Sequence, residues 1–222
     1  MSAVVELRQY TLKPGRRDAL IELFEREFVE SQEAQGMDLI GTFRDLGDPD
    51  RFVWLRGFMD MDARARALAA FYGGPVWKAH RAAANATMID SDNVLLLRPA
   101  WAGSGFPPGG ACAPRGATAL PPGLVVVTTC HFAAPVTDAV LDALRGAPEG
   151  RDLLAALVTE PSINSFPALP VREGENVLVL VSLFADAAAA EAARLPAALD
   201  RWLAKPAEIL RLRPTARSRL HT

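Results

Sequence analysis

The chain has 222 residues, half of them hydrophobic, enough to bury a core in one large domain or in two of about 100 residues each. Its formal charge of −2 comes from basic and acidic residues scattered with both signs interleaved, so no continuous basic face serves nucleic acid or an anionic membrane. Cys112 and Cys130 make no disulfide framework and no apolar run approaches the roughly 20 residues of a membrane span, so the expectation is a cytoplasmic, reducing setting.

Residues 4–12 alternate as a strand does, Pro14-Gly15 ends that pattern, and Leu20, Leu23, Phe24 and Phe28 then fall at helical spacing. Gly36 reads as the glycine that closes this helix. Two apolar stretches, 37–46 and 51–59, flank the turn Gly47-Asp48-Pro49-Asp50 and predict a hairpin. Asp62 is placed to cap a second helix carrying Leu68 and Phe71. Gly73-Gly74-Pro75 interrupts it, further helical turns run from Trp77 to about residue 88, and 94–97 closes as a strand. The order is βαββαβ.

Residues 100–122 hold Pro107-Pro108-Gly109-Gly110 and Pro121-Pro122 with few large apolar side chains, the composition of a linker between a first domain, 1–99, and a second, 123–222. In the second, 124–132 predicts a strand, 137–145 and 151–158 a helix broken around Gly146-Ala147-Pro148, 162–169 a short edge strand, and 177–184 an apolar strand. Asp186 caps a helix reaching Trp202, and 208–213 ends the unit. Phe58-Met59-Asp60 matches Phe184-Ala185-Asp186, Leu95-Leu96-Leu97-Arg98-Pro99 matches Leu210-Arg211-Leu212-Arg213-Pro214, and Pro14 matches Pro135. The fold class is therefore α+β, two ferredoxin-like units in tandem, each exposing a sheet face that stacking on the other would bury.

The opening Glu6-Leu7-Arg8-Gln9-Tyr10-Thr11-Leu12-Lys13-Pro14-Gly15 resembles the first strand of NIPSNAP proteins, E-x-R-x-Y-x-x-x-x-G. Trp54, the run from Phe58 to Arg64, and Trp77-Lys78 resemble that family's strand tryptophan, its helix start and its later tryptophan, over about residues 4–99. The second half departs from the motif, with Val127, Thr129 and His131 standing near the places of Glu6, Arg8 and Tyr10. The resemblance implies a dimeric α/β barrel, which one chain with two units can mimic as an intrachain pseudo-dimer; further homo-oligomerisation stays open. Its wider superfamily includes cofactor-free monooxygenases, isomerases and haem enzymes, so fold kinship names no reaction.

Glu6, Arg8 and Tyr10 share one face of a central strand, and Trp54 and Arg56 lie on the strand expected beside it. Charges there are either a structural ion network that fixes register or the cationic floor of an aromatic-walled pocket for a small-molecule ligand. The second half replaces these groups with Val127, Thr129, Val179 and Val181 or their neighbours, which places any site in the first half. Arg64 opposes the dipole of its helix; the default is a solvated side chain, the alternative a specific partner. Trp77 reads as a packing residue. His80 as a general base and Cys130 with His131 as a nucleophile pair lack supporting neighbours, and the three histidines and two cysteines show no metal-ligand spacing, so neither metal nor cofactor is expected. No catalytic residue is assigned. The two functions carried forward are a small-molecule-binding or scaffold protein and a cofactor-independent monooxygenase or isomerase of a small aromatic or polyketide-like compound.

Overall fold

Proline and glycine divide the chain into two runs of alternating strands and amphipathic helices, and a computed structural model describes residues 2–150 and 153–222 of it. The first run is β1 (Val4–Leu12), α1 (Arg17–Leu23), a π-helical turn (Phe24–Phe28), α2 (Val29–Glu33), β2 (Asp38–Asp45), β3 (Arg51–Phe58), α3 (Met61–Gly73), α4 (Pro75–Asn85) and β4 (Met88–Pro99). The second is β5 (Leu124–His131), α5 (Asp138–Gly146), β6 (Ala155–Thr159), β7 (Val177–Phe184), α6 (Ala187–Ala192) and β8 (Glu208–Pro214). Gly36 adopts φ +83°, the left-handed conformation that ends the α1–α2 helix and that a Cβ would strain.

The eight strands close into one barrel in the order β1-β3-β2-β8-β5-β7-β6-β4. Each half contributes its own fourth, first, third and second strands in that sequence, and each half's second strand pairs with the other's fourth, Phe43 with Pro214 and Leu97 with Thr159. Closure removes the sheet edges that either half alone would expose. It also buries the inner faces: Val5, Leu7, Val53 and Leu95 from the first half meet Val125, Val127, Val179 and Leu212 from the second in one apolar cluster. The outer face of the first half packs Tyr10, Phe52, Trp54 and Phe58 against Phe24, Phe28, Leu68 and Phe71 of the helices.

Several local expectations change. Asp60, rather than Asp62, caps α3, accepting from Ala63 N–H at 2.6 Å, and Asp186 caps α6 in the same way from Ala189 N–H at 2.8 Å. The expected helix over 151–158 is instead strand β6, buried on both faces so that no polar period distinguishes it; Arg151 lies outside the described residues. Residues 162–169 form a loop and not an edge strand, because β6 already occupies that edge and pairs with β4. The helix expected to reach Trp202 stops at Ala192, and a separate 3-10 turn over Ala197–Trp202 follows Pro196, which lacks the N–H a continuous helix needs.

Candidate functional site

Strand alternation sends Glu6, Arg8 and Tyr10 to the outer face of β1, beneath the helices, while Val5 and Leu7 face the barrel interior. The β1–β3 register sets Glu6 opposite Arg56 and Arg8 opposite Trp54, so the five expected side chains meet on two adjacent strands. Arg64, four residues after the Asp60 cap, reaches down from α3 and joins them; it is fully buried rather than solvated.

Glu6 is the hub. One carboxylate oxygen accepts from Arg8 Nη1 and Arg56 Nε, both at 2.8 Å, and the other accepts from Arg64 Nε at 2.6 Å. All four residues have 0% relative exposure. Burial by itself would raise the Glu6 pKa, but the charges of Arg56, Arg8 and Arg64 outweigh it and hold the carboxyl well below its usual range. Burial would likewise lower the Arg8 pKa, and the Tyr10 phenol and the Glu6 carboxylate more than reverse that effect. For Arg64, burial prevails over Glu6 and the pKa falls. Three guanidiniums around one carboxylate leave two positive charges uncompensated within this cluster.

Aromatic rings and amides surround the cluster. Arg8 Nε donates to Tyr10 Oη at 3.1 Å, and its guanidinium carbon lies 5.5 Å from the ring centres of both Tyr10 and Trp54. Arg56 stacks 4.9 Å from the Trp54 ring and donates from Nη1 to Gln32 Oε1 at 2.9 Å. Gln32 in turn donates to the Phe28 carbonyl at 3.0 Å, so the π-helical turn is tied directly to the cluster. Such turns are rare in helices and concentrate at functional sites. Tyr10, Phe24, Phe28, Gln32, Trp54 and Tyr72 line a cavity of about 30 Å3, with Trp77 completing its wall; none of the arginines lines it, but it shares Tyr10 and Trp54 with Arg8. A cofactor-free enzyme reaction on an aromatic substrate needs several hundred Å3, so this volume holds the head of a ligand at most until a wall moves.

The second half braces the site from behind Tyr72 and Arg64 without lining the cavity itself. Arg64 Nη1 donates to Asn164 Oδ1 at 3.0 Å and to Ser165 Oγ at 3.1 Å, and Phe166 stacks on Tyr72 with ring centres 5.9 Å apart. Gln32, Tyr72, Asn164 and Ser165 were not legible as site residues. Gln32 carried no signal beyond its helical phase, and the loop residues lie about 100 positions from Arg64 in the chain.

The ladders also correct the correspondence between halves. Val4 pairs with Phe58 and Leu124 with Phe184, so the counterparts of Glu6, Arg8 and Tyr10 are Val126, Thr128 and Cys130. Val127, Thr129 and His131 are one residue out of step, which on a strand means the opposite face. By the same registers Leu180 and Ser182, rather than Val179 and Val181, replace Trp54 and Arg56, while Ala190 stands four residues after its cap as Arg64 does. In place of the polar cluster is a cleft of about 460 Å3 lined by Val126, Thr128, Leu180, Ser182 and Phe184.

The remaining candidates do not join the site. His80 is 3.6 Å from Glu27 on the helical surface, and His131 lies between Glu175 and Glu208, 3.1 Å from each. Cys130 points away from His131 into the core beneath α5, where burial and then Asp200 push its thiol up to about 12, too high for a resting thiolate. Among the described residues no three His, Cys, Asp or Glu side chains are grouped to hold a metal ion, and no helix is long and apolar enough to cross a membrane.

The NIPSNAP family model matches residues 5–102. A solved structure of an uncharacterized NIPSNAP-like domain protein from Burkholderia xenovorans is 30% identical over 47% of this chain and 91% of its own, with a TM-score of 0.43. Two longer proteins align over nearly the whole chain. An anthrone oxidase-like protein covers 100% of it and 98% of its own length at 15% identity and TM-score 0.56. A protein from Lactobacillus acidophilus named as a candidate monooxygenase covers 98% of each chain at 12% identity and TM-score 0.54. At these identities the two share a fold with this chain. No functionally curated protein matches the sequence.

Proposed function

The chain belongs to the NIPSNAP family, and from that premise we propose that its N-terminal half binds a small molecule between sheet and helices, at Glu6, Arg8, Tyr10, Trp54 and Arg56. The observation that carries this reading is the asymmetry of the two halves. Val126, Thr128, Cys130, Leu180, Ser182 and Ala190 occupy the places of the polar cluster, and the second half still builds the same strand order. A cluster that one copy discards without losing its fold is not required by the fold. Charged residues kept fully buried at a cost of several kcal/mol each in desolvation then need another reason to be there.

The π-helical turn adds to that reason, since it aims Phe24 and Phe28 at Trp54 and Phe71 and carries Gln32 to Arg56. The small volume of the cavity favours binding over turnover of a polyketide-sized substrate. Native mass spectrometry of protein purified without denaturant tests the proposal. A small-molecule adduct on the wild type that is absent from Arg8→Ala, with circular dichroism unchanged, is the expected result. A bare wild-type mass together with loss of fold in Arg8→Ala refutes it in favour of a purely structural network.

A further inference from the structure

Every buried polar atom of this cluster that lacks a partner is a donor. They are Nη2 of Arg8, Nη2 of Arg56, Nη2 of Arg64 and Nε1 of Trp54. Buried donors without acceptors are rare in native proteins, and four around one carboxylate mark a place where acceptors from elsewhere belong. Water would satisfy the hydrogen bonds but not the charge, because three guanidiniums face the single carboxylate of Glu6. An anion does both. Guanidinium edges, planar and fork-shaped, match a carboxylate better than a point charge, and the adjoining surface of Tyr10, Phe24, Trp54 and Tyr72 suits a flat apolar body.

We propose that the site takes a small flat organic acid, its carboxylate held by the unspent N–H groups of Arg8, Arg56 and Arg64 and its body lying among the aromatic rings beside them. This deepens the small-molecule reading above and rests on it. A body of benzene size exceeds the present cavity of about 30 Å3. The wall that yields is Tyr72, which is braced from behind by Phe166 of the loop bearing Asn164 and Ser165; that loop belongs to no helix or strand and is tied to the cluster through Arg64. Closing again over the ligand, it would shield the carboxylate from water.

Isothermal titration of the full chain with benzoate and, separately, with benzamide reads the charge requirement on two molecules of one shape. Benzoate is expected to bind saturably and benzamide to bind at least about 10-fold more weakly, the loss typical of a charge-assisted contact. Arg8→Met is expected to weaken benzoate by a similar factor and benzamide by much less, so that the ratio of the two affinities shrinks. Should Arg8→Met fail to fold, Arg56→Lys keeps the charge while removing the fork and is expected to weaken benzoate in the same direction. Equal affinities for benzoate and benzamide overturn the organic-acid proposal and leave a small-molecule site in place. Saturable binding by neither overturns both.

Discussion

Replacing Glu6 with glutamine removes a carboxylate bonded to three buried guanidiniums while changing the side-chain shape hardly at all. The amide oxygen still accepts, but the contacts of 2.8, 2.8 and 2.6 Å lose the carboxylate's negative charge, and the NH2 group that replaces one oxygen now faces donors. Removing one partner of a buried ion pair costs about 3–5 kcal/mol, against a typical total stability of about 5–15 kcal/mol. At a urea slope near 3 kcal/mol per molar, a loss of about 4 kcal/mol moves the midpoint down by about 1.3 M with the slope unchanged. The double variant Glu6→Gln with Arg64→Met removes one of the stranded cations, so its destabilisation is expected to fall short of the sum of the single losses by 1 kcal/mol or more, with single and double variants measured in the same urea series. A loss below about 1 kcal/mol for Glu6→Gln, or strict additivity in the double variant, would show that Glu6 is not the counter-charge on which the cluster depends.

Acid should weaken the protein through the same residue. The folded Glu6 carboxyl titrates below its usual 4.5, so its stabilisation is complete above that value and is lost as the pH falls from there toward the folded-state value. Urea midpoints taken between about pH 5 and 3 should therefore drop more steeply for the wild type than for Glu6→Gln, and parallel curves would contradict this. Iodoacetamide at neutral pH should label the half-buried Cys112 and spare Cys130 until denaturant is added, as peptide mapping would show; native labelling of Cys130 would refute its placement in the core. Leu180→Trp puts the Trp54 side chain at the matching point of the second half, where a cleft of about 460 Å3 has room for it. Its melting temperature should be unchanged or raised, whereas a loss above about 2 kcal/mol in thermal unfolding would mean overpacking and a closed cleft.

Much of the fold is local and was therefore legible. The strand alternation of β1, the turn between β2 and β3, the glycine and proline breaks and the repeated Phe-x-Asp before α3 and α6 are all set by neighbours within a few residues. The elements misread were those whose identity comes from burial on all sides. Strand β6 shows no period because both faces are covered; α6 is the exception, since it ends at Ala192, ahead of Pro196, which is a local stop signal.

The candidate site divides in the same way. Glu6, Arg8 and Tyr10 could be placed on one face of one strand from spacing alone, and Trp54 and Arg56 beside them from the usual pairing of the first and third strands. That Arg64 leaves solvent to join Glu6, that Asn164 and Ser165 cross from the other half to meet it, and that Val126 rather than Val127 is the true counterpart of Glu6 were decided only by tertiary structure. The sequence by itself determined the repeat, the strand alternation and the residue types that make a charged face on a central strand. Barrel closure decided the rest, because long-range register sets which distant groups share a volume and therefore which charges must be balanced there.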